Sequence, residues 1–170
     1  MLMILQVATV FLVSIAWAQA LAHALELPGK LRLGKDAYIA VQTIYYPGFT
    51  IGGAMGEGLG MCATLALLLA TDPTDPAFAW TLAAFLALLA MHATYWIVTH
   101  PVNKFWLKDR NLKGLGAGFF GLGKRGRDLA ESAEPDDVWA RLRDRWEYSH
   151  VTRAAFAGAA LLSLIIALAM

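Results

Sequence analysis

Four histidines and a few carboxylates lie within or beside apolar runs, at spacings that place them on shared helix faces. Gln19, His23 and Glu26 follow one another at i, i+4 and i+7, a single face of one helix near its end. His92, Trp96, Thr99, His100 and Asn103 form a second broad face on another helix. Glu57 stands among glycines inside an apolar run, and His150 stands at the start of another. Ionisable groups are expensive inside a membrane span, so each is a functional candidate by default. At the depth of Glu57, a charge needs a partner, or the carboxyl must stay protonated through a raised pKa. A histidine near a span end can simply reach headgroups and water, the plain alternative for His23, His100 and His150.

Imidazole and carboxylate together can exchange protons with a reacting group, and they are also the ligands of iron, zinc and manganese. His23 and Glu26 reverse the Glu-x-x-His order of carboxylate metal bundles, and with His100 they form the candidate metal set. A dinuclear site needs more carboxylates than Glu26 and Glu57 provide, so a mononuclear metal or no cofactor at all is the expectation.

The elements that position these groups follow from composition. The chain has 170 residues, 58% of them hydrophobic and 16% charged, and its mean hydropathy is +0.53. That leaves too little polar surface to cover a water-soluble globule. Apolar stretches at about 3–26, 47–70, 77–100 and 150–170 each suffice for the roughly 30 Å of hydrocarbon that a helix spans with about 20 residues. Continuous apolar runs lack the alternation of a barrel, so an all-α integral membrane four-helix bundle is predicted, one domain over residues 1–170. Lys30, Arg32 and Lys35 follow the first span and the remaining Lys and Arg follow the third, while the loop after the second holds only Asp72 and Asp75. The positive-inside rule then puts both basic loops in the cytoplasm and both termini outside, in a bacterial inner membrane. The N-terminal run lacks preceding basic residues and a small-residue cleavage site, so an uncleaved span is expected. Cys62 is the only cysteine, and no internal disulfide can form.

Pro28-Gly29 should end the first helix. Residues 36–46 form a short amphipathic stretch at the interface, with Tyr45 and Tyr46 in the aromatic belt. Gly52, Gly56, Gly60 and Thr64 make a small-residue stripe on which another helix can pack closely. Pro101 removes the donor for the Ile97 carbonyl, which a side chain, water or ligand should replace. Residues 112–126 are glycine-rich, and their apparent phosphate-loop spacing fails because Arg125 stands where Ser or Thr should hold magnesium. From Glu134-Pro135-Asp136-Asp137 a helix with Trp139, Leu142, Trp146 and Ser149 on one face leads out of the 101–149 loop into the fourth span.

His100-Pro101-Val102-Asn103-Lys104-Phe105-Trp106, then Trp139, then Leu142-Arg143-Asp144-Arg145-Trp146-Glu147-Tyr148-Ser149-His150, resembles the pattern of the anthrone oxygenase-like membrane family. The resemblance implies a small four-helix membrane protein, some relatives of which oxidise anthrones to anthraquinones, and it matches Asn103, Arg143 and His150 to the family motif. A membrane-embedded oxidoreductase of oxygenase type would act on a lipophilic aromatic or quinone-like molecule arriving from the bilayer. His92 or His150 would then serve as base, Asn103 and Arg143 would bind the developing oxyanion, and Glu57 would relay protons. The alternatives are a non-catalytic subunit of a larger membrane complex or homo-oligomer, packed through the glycine stripe, and a small proton-linked transporter. Nucleic acid is not an expected partner.

Overall fold

The computed structural model describes residues 2–45, 48–106 and 136–170. It is all-α. Helix α1 (Leu2–Lys30) is followed by α2 (Lys35–Val41) and a 3-10 turn (Gln42–Tyr45). Next come α3 (Gly48–Gly53), a π-helical turn (Ala54–Leu59) and α4 (Gly60–Ala70), which together make one rod. The next rod joins α5 (Pro76–Thr94), a second π-helical turn (Tyr95–Thr99) and α6 (His100–Trp106). The last helix is α7 (Asp136–Leu168). Four helical stretches of 23 to 31 residues are long and apolar enough to cross a bilayer, as the hydropathy predicts. The 112–126 stretch, Tyr46 and Pro135 lie outside the described residues.

Residue size is distributed as lipid solvent demands. Ala16, Ala20, Ala84, Ala154, Ala157 and Ala160 fill the interior with Val13, Leu88, Met91 and Leu164, whereas Ile4, Phe11, Leu69, Leu89 and Ile165 point outward. Between helices in hydrocarbon, burial of apolar surface gains little, and small residues that let backbones approach gain more. Thr9, Thr64 and Thr81 are buried too, each hydroxyl donating to the carbonyl one turn back at 2.7 to 2.9 Å. Helix α7 packs most extensively on α5 and α1. Its 33 unbroken residues reach about 50 Å. The hairpin into α5 is tight because Asp75 caps the helix, its Oδ1 accepting from the Ala77 amide at 2.8 Å with Pro76 in the first turn.

The glycine stripe packs inside the chain, on α1. A Cβ on Gly56 would come within 2.6 Å of the Ala16 backbone nitrogen, while one on Gly60 would make ordinary contact with the Val13 side chain at 3.4 Å and the Leu12 and Val13 backbone at 3.5 Å. The stripe is therefore already covered within one copy, which removes the support it lent to a partner-docking subunit. Gly56→Ala is expected to destabilise the bundle by about 1–3 kcal/mol, because backbone cannot yield as a side chain can. Gly60→Ala should be neutral or gain up to about 1 kcal/mol from helix propensity. Unfolding of the two variants in detergent micelles checks the contrast.

Two local expectations are corrected. Helix α1 passes through Pro28 and closes at Lys30, since a proline in the last turn sacrifices one bond and Leu31 still donates to the Leu27 carbonyl at 3.0 Å. Tyr45 is not a belt residue: it is 7% exposed and turned into the bundle, as is Tyr38 on α2 at 0%. A helical stretch beside a bilayer can be rotated either way, and here the phenols turn toward two carboxylates, Tyr38 to the buried Glu147 and Tyr45 to the exposed Glu26.

Candidate functional site

At the end of the bundle where α1 finishes and α7 begins, polar side chains from α1, the 35–45 segment, both interrupted rods and α7 meet in the interior. The rings of His23 and His150 lie face to face, centroids 4.2 Å apart and tilted 34°. Trp146 sits 4.2 Å from His150 on α7, and Tyr45 and Phe49 lie 4.5 and 4.6 Å from His23. Both histidines are buried, at 6% and 5% exposure.

Each imidazole is addressed by a cation. Lys30 Nζ is 3.3 Å from His23 Nδ1, and Arg153 Nη1 is 3.1 Å from His150 Nδ1. Lys30 also reaches Glu26 Oε2 at 3.1 Å and Glu147 Oε1 at 3.4 Å, so its three N–H donors have three acceptors. Arg153 pairs with Glu57 and lies over the Tyr95 ring at 5.2 Å. The partner that the charge of Glu57 requires is thus Arg153, a basic residue inside the fourth span.

Tyr38 and Tyr45 fix the 35–45 segment over this cluster. Tyr38 Oη donates to Glu147 Oε1 at 2.6 Å, and Tyr45 Oη donates to Glu26 Oε2 at 2.5 Å. Burial, then the adjacent Glu147 carboxylate, pushes the Tyr38 phenol well above its ordinary range; burial and the bond to Glu26 do the same for Tyr45. Both therefore remain donors at any physiological pH.

Glu147 is fully buried, and its Oε2 has no hydrogen-bond partner among the described residues; the same holds for His150 Nε2. Buried polar atoms without partners are rare, and ionisable groups inside a membrane bundle mark function by default. Glu26, Glu57 and Glu147 here face Lys30 and Arg153 around two imidazoles.

The π-helical turns help to set this geometry. Such turns are uncommon and recur at functional sites because the extra residue re-aims the side chains around it. One carries Glu57 and the other carries Tyr95, and Arg153 contacts both. Within the second turn, the Ile97 carbonyl receives Arg145 Nη2 at 3.2 Å, the replacement donor that Pro101 makes necessary.

Of the candidates read from sequence, Glu57, His150 and His23 are brought together, and Glu26 joins through Lys30. Asn103 reaches the group indirectly: its Oδ1 accepts from Trp146 Nε1 at 2.7 Å. It thereby orients the indole that packs at a 58° tilt against His150. His92 is only half-buried; its Nδ1 is 2.9 Å from the Leu88 carbonyl of its own helix, and among the described residues no hydrogen bond or ring contact joins it to the cluster. Arg143 pairs with Asp144 at 2.8 Å and covers Trp139 at 5.1 Å, two turns before His150. His23 and Glu26 are 4.0 Å apart, whereas His100 contacts Tyr95 and Trp96. Among the described residues, no three His, Cys, Asp or Glu side chains are grouped to hold a metal ion.

Lys30, Arg153, Glu147, Tyr38 and Tyr45 are the members that sequence reasoning did not single out. The signal existed for Arg153, a cation three residues into the fourth apolar run, and for Glu147, which shares a face with His150 at i, i+3.

The model of the anthrone oxygenase family matches residues 45–163. No curated protein and no solved structure matches the chain. The matched region includes Glu57, Asn103, Glu147, His150 and Arg153, and α1 with His23, Glu26 and Lys30 precedes it.

Proposed function

Because the chain belongs to the anthrone oxygenase family, we propose that it is a membrane-embedded oxygenase that oxidises a lipophilic aromatic bearing an acidic C–H or phenol. The observation that carries this reading is the cluster of buried ionisable groups around His23 and His150, with Glu147 Oε2 held in the interior without a partner among the described residues.

The overall reaction converts an activated ring CH2 to C=O. Dioxygen gives one oxygen atom to carbon and the other leaves as water with the two hydrogens; the carbon loses four electrons and dioxygen gains them. The difficult part for a protein is generating the electron-rich substrate anion that dioxygen attacks. Glu147 takes the first proton on Oε2, because its Oε1 is already engaged by Tyr38 and Lys30. The anion's charge spreads onto the ring oxygen, where the cationic and N–H-rich side of the cluster stabilises it. Substrate enters laterally from the bilayer, and the charge distribution of the loops supports placing this end of the bundle at the cytoplasmic face.

The test uses full-length protein in lipid nanodiscs with anthrone under labelled dioxygen. The expected result is oxygen uptake above that of empty nanodiscs, with one labelled oxygen atom in each anthraquinone formed. A rate equal to the spontaneous reaction, with anthrones and with hydroquinones alike, overturns the proposal.

A further inference from the structure

Histidine can serve as donor or acceptor at either ring nitrogen, and the neighbours of each nitrogen decide which. Arginine carries only donors. Arg153 Nη1 lies 3.1 Å from His150 Nδ1, so a hydrogen on that nitrogen would set N–H against N–H. Nδ1 must offer its lone pair, and the ring's hydrogen sits on Nε2. A ring flip offers no escape, because it would put a C–H against the guanidinium. The ring is also clamped between His23 and Trp146, each 4.2 Å away, and Asn103 fixes the indole.

His23 is constrained in the same way, since its Nδ1 faces the Lys30 ammonium at 3.3 Å. His92 is the opposite case. Its Nδ1 faces the Leu88 carbonyl at 2.9 Å, and a carbonyl only accepts, so Nδ1 carries the hydrogen there. The two stacked imidazoles are thus donors at Nε2, and neither presents a lone pair there to act as a base.

His150 Nε2 is buried in a residue 5% exposed and finds no acceptor among the described residues. We propose that this N–H binds an oxygen atom of the ligand, a ring carbonyl or phenolate, and that Arg153 is the positioning residue that holds His150 in the donor tautomer. The ligand class rests on the oxygenase reading above; the tautomer does not.

The experiment is long-range 1H–15N correlation NMR on full-length protein labelled in histidine nitrogen, in lipid nanodiscs. His150 should show protonated Nε2 and bare Nδ1, and His92 the reverse pattern as an internal control. Anthraquinone should shift the His150 Nε2 resonance, while anthracene, the same ring system without oxygens, should not. Arg153→Lys should keep the tautomer. The charge-balanced pair Glu57→Gln with Arg153→Met should release it, giving a mixture with protonated Nδ1. A protonated Nδ1 on His150 in the wild type, an unchanged tautomer in the double variant, or equal shifts with the two probes overturns the proposal. An anthraquinone-specific shift in a protein without oxygen uptake would leave the binding inference standing and remove the oxygenase reading, so the two failures are distinguishable.

Discussion

Arg153→Met is expected to destabilise the protein by about 3–5 kcal/mol, the cost of leaving one member of a buried ion pair without its partner. Glu57 is 8% exposed and stands in a π-helical turn packed on α1 through Gly56, so it cannot turn to water without moving the backbone. Glu57→Gln should cost a comparable amount by stranding Arg153. The double variant, neutral at both positions, should recover most of the loss, because an apolar or neutral pair of similar volume avoids the desolvation of two ions. Activity should not return with stability, since His150 has lost the donor that orients it. Unfolding in mixed micelles, run as a double-mutant cycle, measures the coupling. A single-variant cost under about 1 kcal/mol would mean that the pair is hydrated and that the interior of this end is wet.

Glu147→Gln is expected to lower kcat by about 10²–10⁴-fold, the usual worth of a positioned proton acceptor. The fold should survive, because the amide oxygen can still accept from Tyr38 and Lys30, the two donors now on Oε1. KM should change little if the carboxylate acts on the proton and does not hold the ring. Steady-state oxygen uptake at saturating substrate separates the two effects. A variant with unchanged kcat and a raised KM would make Glu147 a binding residue and move the base elsewhere.

The spans were legible in the sequence because the thickness of hydrocarbon and the cost of an unpaired backbone leave a chain few choices. Glu57, His23 and His150 were legible for a related reason: an ionisable group in an apolar run stands out. Their partners were not. Lys30 and Glu147 stand near span ends, where long charged side chains ordinarily reach for water, and only the rotation of α1 against α7 turns them inward. Tyr38 and Tyr45 shared that fate, turned from the expected interface to the carboxylates of Glu147 and Glu26.

His92 shows the opposite error. Regular helical spacing puts His92, Trp96, Thr99, His100 and Asn103 on one face. The π-helical turn at Tyr95–Thr99 adds a residue to that turn and rotates the helix beyond it, so Thr99 and Asn103 face inward at 1% and 5% exposure while Trp96 is 54% exposed. The need for a donor at Ile97 could be read from Pro101, but not that Arg145, on another helix, would supply it.

Whether chemistry occurs at the cluster around His23 and His150 is tested most directly by comparing His150→Phe with His92→Phe at matched folded fraction. Phenylalanine keeps a ring in the stack and removes the N–H. His150→Phe is expected to lower kcat by about 10²–10³-fold, the worth of one buried donor to a developing oxyanion, while His92→Phe stays within about threefold of the wild type. Loss of turnover in His92→Phe with near-normal turnover in His150→Phe would contradict a reaction centred on that cluster.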